Sequence, residues 1–183
     1  ITRKKNRATG QDHRFDVTLL ISGIPVIHLE LKREGVSIEQ AYWQIRDYMG
    51  NGDFGGFYSL VQIFGILNGS ESRYFARPTD YRSFNYSFCF GWADEKTNQP
   101  IQESSQFIKH ALRVPMGHKL MSLYTIADKP KGILKVLRSY QIYAVENILT
   151  RLHKSQFNGS SQDILGGYIW HTTGSGKTMT SFK

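Results

Sequence analysis

The sequence predicts an α/β fold: a mixed central sheet flanked by helices, followed by the first elements of a second α/β unit built around a glycine-rich loop. Three observations carry this expectation. Short runs rich in Val, Ile, Leu and aromatic residues, bounded by turn residues, recur along the chain. Ser37 to Met49 and Leu134 to Leu152 carry apolar residues at helical spacing. Near the end, the apolar run Gly166 to Trp170 leads into Thr173-Gly174-Ser175-Gly176-Lys177-Thr178, in the order strand, loop, helix.

Ile1 to Arg14 is polar and basic, with Arg3, Lys4, Lys5, Arg7 and Arg14. Phe15 to Ile21 reads as a strand, Ser22-Gly23-Ile24-Pro25 as a turn, and Val26 to Lys32 as a second strand. Ser37 caps the first helix, with Gln40 completing a capping box and Gly50 stopping it. Asn51 to Phe57 reads as a loop and Tyr58 to Leu67 as an apolar strand. Asn68-Gly69 turns the chain into a returning strand at Arg73 to Arg77. Tyr86 to Trp92 reads as an aromatic strand, Gln102 to Leu112 as a helix, and Tyr124-Thr125-Ile126 as the start of a connection. Composition changes at Asp128-Lys129-Pro130-Lys131-Gly132, which divides the chain into 1–127 and 128–183. Phe157 to Asp163 is a polar loop.

The chain has 183 residues, 40% of them hydrophobic and 21% charged, which excludes a disordered polar tract. Its first residue is Ile1 and its last ones stop inside an expected helix, so a fragment of a longer chain is expected. The formal net charge of +8 favours polyanionic partners, nucleic acid first. Cys89 is the single cysteine, so neither an internal disulfide nor a thiolate metal cluster can form. It reads as a small buried residue, and a reducing cytoplasm fits it. No apolar run reaches membrane-spanning length and no signal peptide is visible.

The residues that point to chemistry are Asp16 and Glu30-Leu31-Lys32, with a turn between them. A hairpin centred near Gly23 sets Asp16 opposite Glu30, and opposed residues have side-chain roots about 5 Å apart. Two carboxylates that close repel unless a cation lies between them, and such oxygen donors suit Mg²⁺. Glu30 and Lys32 share a strand face, while Ile27, Leu29 and Leu31 point into a core. The chemistry would be phosphodiester hydrolysis: the metal polarises the phosphate and acidifies a water, and the lysine orients that water or stabilises charge. His28 shares the face of Glu30 and reads as a strand residue with a hydrogen-bonded ring. Gln44 and Tyr48, four apart, share a helix face and could hydrogen-bond a phosphate or a carboxylate. By itself Asp…Glu-x-Lys is a weak pattern, and its alternative is an ordinary ion pair on a solvated hairpin.

Together, Arg14-Phe15-Asp16, Gly23-Ile24-Pro25, His28-Leu29-Glu30-Leu31-Lys32 and Gln44-x-x-x-Tyr48 resemble the nuclease domain of type I restriction R subunits, within the PD-(D/E)xK nucleases. The resemblance implies a restriction-endonuclease-like fold. It implies Asp16, Glu30, Lys32, Gln44 and Tyr48 as catalytic residues and Asp16 and Glu30 as Mg²⁺ ligands. Ser22 stands where relatives have Asn, Phe15 where many have Pro, and Asp47 where an Arg often precedes the Tyr. An acidic residue on an upstream helix of the family has no counterpart in this sequence.

His171-Thr172-Thr173-Gly174-Ser175-Gly176-Lys177-Thr178 has Walker A spacing with His in place of the first Gly, and resembles superfamily 2 helicases and translocases. Glycines let backbone N–H groups wrap a phosphate; Gly174, Ser175 and Gly176 form that wrap, Lys177 reaches the terminal phosphates of ATP and Thr178 holds Mg²⁺. Gln141, within Arg138-Ser139-Tyr140-Gln141, resembles the adenine-reading Gln of the same superfamily. A RecA-like motor domain would begin here. The chain ends before an acidic Walker B pair and a second motor lobe, so no ATP hydrolysis is expected of it, and a poorly ordered loop is expected without its sheet.

Nuclease followed by motor is the order of type I R subunits, which implies double-stranded DNA as substrate and methylation and specificity subunits as partners. Two alternatives stand beside this: a superfamily 2 DNA helicase whose first domain binds DNA without cutting it, and a non-catalytic interaction module.

Overall fold

The computed structural model describes residues 2–5, 12–157 and 167–183, with side chains described for 14–153 and 167–183. In chain order the elements are β1 (Thr2–Lys5), β2 (Asp12–Phe15), β3 (Val17–Ile21), β4 (Ile24–Leu31), α1 (Glu39–Gly50), β5 (Ile63–Leu67), β6 (Ser72–Ala76), β7 (Trp92–Ala93) and β8 (Pro100–Ile101). There follow α2 (Ser104–Phe107), α3 (Met116–Ser122), β9 (Thr125–Asp128), β10 (Ile133–Val136), α4 (Ser139–Phe157) and α5 (Lys177–Phe182).

The central sheet has the order β3-β4-β5-β6, with β4 and β5 parallel and the outer pairs antiparallel, so it is mixed as expected. Ser22 and Gly23 both have positive φ, 51° and 82°, the signature of a two-residue hairpin turn whose twist matches the strands. The turn is thus tighter than the sequence suggests, and Pro25 lies inside β4. Pro25 cannot donate to the ladder; it faces Leu20 where the register shifts between Leu19 and Leu20, and the β4–β5 pairing starts only at Ile27.

Strand alternation divides β4 and β5 between two cores. Ile27, Leu29, Ile63 and Leu67 pack with Tyr74, Trp92 and residues of α2 to α4. Phe64 and Ile66 pack with Phe15, Phe54, Phe75 and the Ala41-Tyr42-Ile45 face of α1. Burial of these side chains is what holds α1 in the crossover between the two parallel strands. Gly65 faces Leu29 across the parallel pair, and a Cβ there would lie 2.6 Å from Leu29 Cδ2.

Several sequence readings are corrected. Helix α1 starts at Glu39, and Ser37 Oγ accepts the Glu39 N–H at 3.2 Å, so Gln40 completes no capping box. Residues 56–60 form a 3₁₀ turn in place of a strand, because the Arg77 guanidinium donates to the carbonyls of Phe54, Tyr58 and Val61 and holds the chain coiled. The aromatic run 86–92 is a 3₁₀ turn capped by Asn85, one bridge from Phe90 to Tyr74, and the start of β7. Cys89 is buried as expected, and burial pushes its thiol up to about 12.

The composition change at 128–132 falls inside the β9–β10 hairpin, where Asp128 pairs with Ile133 and Gly132 turns the chain at φ 64°. Leu134 to Val136 is strand, and the helix begins at Ser139. Tyr74 Oη donates to Leu137 O at 2.8 Å, Trp92 Nε1 to Tyr143 Oη at 2.8 Å, and Ala93 N to Ser139 Oγ at 3.1 Å. The first bond ties the segment before α4 to the central sheet, and the other two tie the start of α4 to the β7–β8 pair. The polar loop expected after Phe157 lies mostly outside the described residues, as does Arg7.

Two outcomes follow. Gly65→Ala should lower stability by about 1–3 kcal/mol, since Leu29 is buried and cannot swing away; urea unfolding measures it. Burial, first among the causes, holds the Tyr42, Tyr74 and Tyr124 phenols well above their ordinary range and pushes Tyr143 up to about 12. Below a pH of about 10 neither state ionises them; above it the unfolded chain loses protons that the folded chain keeps, so stability falls as pH rises. The part of the phenolate absorbance that comes from these four tyrosines should therefore appear together with loss of the helical circular dichroism signal.

Candidate functional site

The β3–β4 register sets the site. Val17 pairs with Leu29, so Asp16, just before β3, stands beside Glu30. The Leu31 N–H donates to Asp16 Oδ2 at 2.8 Å, which fixes that carboxylate at the end of β4. Glu30 is 1% exposed, and its Oε1 lies 3.6 Å from Lys32 Nζ. Lys32 Nζ also donates to Gln44 Oε1, and Gln44 Nε2 donates to Tyr48 Oη. The end of β4 and one face of α1 thus bring Glu30, Lys32, Gln44 and Tyr48 together, with Asp16 beside them just before β3.

The local charge agrees with this geometry. Burial holds the Tyr48 phenol above its ordinary range; the Gln44 hydrogen bond opposes that rise, and Glu30, Asp16 and Asp53 add to it. Asp53 is the residue the sequence reading missed. It is 1% exposed, in the turn after α1, and its N–H donates to Tyr48 O at 2.9 Å. Its signal, an acid within a glycine-rich loop, is too common to single out.

Glu30 Oε2 is buried and, among the described residues, accepts no hydrogen bond. A carboxylate oxygen removed from water in this way is stabilised by a cation, so the donor set fits a divalent ion. Among the described residues, no three or more His, Cys, Asp or Glu groups converge on a metal position. Two carboxylates are nevertheless the number that Mg²⁺ commonly takes from a protein, with water and phosphate oxygens completing its shell.

The second set of predicted residues lies apart, at the start of α4. Gly174 and Gly176 have φ of 77° and 82°, and α5 begins at Lys177. Gln141 Nε2 donates to Ser175 O at 3.0 Å and Gly176 O at 3.1 Å, while its Oε1 accepts the Arg138 N–H at 2.9 Å. Tyr140 Oη donates to Ser175 O at 2.6 Å. Gln141 therefore has its amide hydrogens and oxygen engaged, where the sequence reading has it paired with an adenine edge. A Cβ on Gly176 would meet Gln141 Nε2 at 2.5 Å, so the close approach requires glycine. The loop is thus hydrogen-bonded to α4. The strand expected before it is absent at 167–170, where Tyr168 and Trp170 are 89% and 86% exposed. Lys177 and Thr178 are exposed at the start of α5.

Residues 2–83 match the family model of the type I restriction enzyme R protein N terminus, and residues 140–183 match that of the SWI2/SNF2 ATPases. The chain is 38% identical over 170 residues to a type I restriction enzyme endonuclease subunit of Staphylococcus aureus, covering 93% of this chain and 17% of the relative. Identity to one from Staphylococcus saprophyticus is also 38%, with the same coverage. One from Escherichia coli is 30% identical over 172 residues, covering 93% of this chain and 54% of the relative. The chain thus spans about a sixth of the length of its staphylococcal relatives, 17%.

Gln141→Ala removes all three hydrogen bonds that this side chain makes. Amide hydrogen exchange at residues 172–176 should then quicken by at least ten-fold, the equivalent of about 1.4 kcal/mol of lost local protection. Unchanged exchange would show that Tyr140 alone holds the loop.

Proposed function

Residues 2–83 match the N-terminal model of type I restriction enzyme R proteins, and from that premise we propose that the chain is part of such a protein and cuts DNA by Mg²⁺-dependent hydrolysis of phosphodiester bonds. The observation that carries the reading is the Asp16 carboxylate held on the Leu31 N–H, beside a buried Glu30 whose Oε2 accepts no hydrogen bond among the described residues.

Asp16 and Glu30 would hold Mg²⁺, which polarises the scissile phosphate and lowers the pKa of a bound water. Lys32 presents its ammonium to the attacking water or to charge developing on the phosphate. Gln44 fixes the Lys32 position through its amide oxygen, and Tyr48 fixes the orientation of that amide by accepting from its nitrogen. The net charge of +8 supports double-stranded DNA as the substrate, since phosphates attract Lys and Arg whatever the base sequence.

The same reading extends to the whole subunit. Residues 1–127 cut and residues 128–183 open a superfamily 2 motor that moves DNA with ATP. Gly174, Ser175, Gly176 and Lys177 cradle the phosphates, Thr178 holds the Mg²⁺ of the nucleotide, and Gln141 braces the loop. Methylation and specificity subunits are the partners, in the cytoplasm. Among the described residues no helix is long and apolar enough to cross a membrane.

Plasmid cleavage by the full-length subunit, assembled with its methylation and specificity subunits and ATP, tests the reading. Asp16→Ala and Lys32→Ala should each lower cleavage by at least about a hundred-fold while DNA binding persists. Undiminished cleavage in both variants would leave Asp16 and Lys32 as structural residues and reject this site.

A further inference from the structure

His28 lies one turn of the strand pattern before Glu30, on the same face of β4, and is fully buried. The nuclease chemistry above gives it no task, and an imidazole is a polar group to bury without one. Its surroundings are mostly aromatic: the rings of Phe15 and Phe54 meet it edge-on at 5.1 Å each, and Phe64 at 6.1 Å. Among the described residues, two polar contacts relieve that environment. Nδ1 lies 3.1 Å from Thr18 Oγ1, its direct partner across the β3–β4 pair. Nε2 faces Glu30 Oε2 at 3.5 Å.

The chemistry of the two partners selects one tautomer. A carboxylate only accepts, so the contact with Glu30 is favourable when Nε2 carries the ring hydrogen. Nδ1 is then an acceptor, and the Thr18 hydroxyl can donate to it. Among the described residues, Nε2 and Glu30 Oε2 are both buried and without a hydrogen bond, and they sit just beyond hydrogen-bond reach of each other. Glu30 Oε1 is meanwhile turned toward Lys32. The carboxylate plane is therefore set at one oxygen by an ammonium and at the other by an imidazole.

We propose that Thr18 and His28 form a positioning relay that holds the Glu30 carboxylate in the orientation needed to take up a divalent cation. His28 touches neither the cation nor DNA. It acts through Glu30, as groups behind a metal ligand do when they fix the ligand's rotamer. The inference rests on the assignment of Glu30 as a metal ligand made above.

The experiment is Mn²⁺ titration of the full-length subunit without nucleotide or DNA, followed by electron paramagnetic resonance of the free ion, with thermal unfolding measured alongside. Glu30→Gln should abolish the site. His28→Phe, which keeps the ring contacts, should raise the Mn²⁺ dissociation constant on the order of ten-fold at a near-normal unfolding temperature. His28→Gln, which restores an N–H donor at similar reach, should recover most of the affinity. Thr18→Val should shift it in the direction of His28→Phe. Wild-type affinity in His28→Phe overturns the relay, as does equal loss in His28→Phe and His28→Gln. If Glu30→Gln binds Mn²⁺ normally, the ligand assignment itself fails and the relay with it. That outcome is distinct from failure of the relay alone, in which Glu30→Gln is still inactive in binding.

Discussion

The register between β3 and β4 is the constraint on which the candidate site depends. A turn of two residues, Ser22 and Gly23, both at positive φ, leaves one way to pair the strands that keeps Ile27 and Leu29 in the core. That pairing sets Asp16 at the level of Glu30 and brings its carboxylate onto the Leu31 N–H. A slip by one residue would carry Glu30 and Lys32 to the apolar face and leave Leu29 on the α1 side. The chemistry-bearing residues are therefore held by the same apolar packing that stabilises the sheet.

The two faces of β4 serve opposite purposes. One is aliphatic and packs against the helices of the C-terminal half. The other carries the buried Glu30 and sets His28 into a layer of aromatic side chains from Phe15, Phe54 and Phe64. Such a layer keeps water away and strengthens every electrostatic contact within it. Only Lys32, at the end of the strand, returns toward solvent, together with Asp16 and the Gln44-Tyr48 edge of α1.

Much of this was legible from residue types. The hairpin, the Glu30 and Lys32 face, the α1 helix and the β5–β6 return follow from strand alternation, turn residues and helical spacing. What was not legible depends on distant partners. Tyr58 to Leu60 have the composition of a strand, yet the Arg77 side chain satisfies the carbonyls around them and coils the segment. The run from Tyr86 to Trp92 is aromatic throughout, and Asn85 capping turns its first half out of the sheet. Composition changes at Lys129-Pro130-Lys131-Gly132, and in the fold these residues form the tip of a hairpin. The proximity of Asp53 to Tyr48 comes from the fold of the turn after α1, which no short motif encodes.

Fastening of α4 onto the sheet has a mechanical meaning. Tyr74, Trp92 and Ala93 grip Leu137, Ser139 and Tyr143, and two residues of the same helix turn, Tyr140 and Gln141, grip the glycine loop. No slack tether separates the sheet that carries the acids from the helix that holds the loop. A displacement of the loop along its own axis would strain bonds that end in the strands, so a shift at one end of this segment is passed to the other rather than absorbed between them.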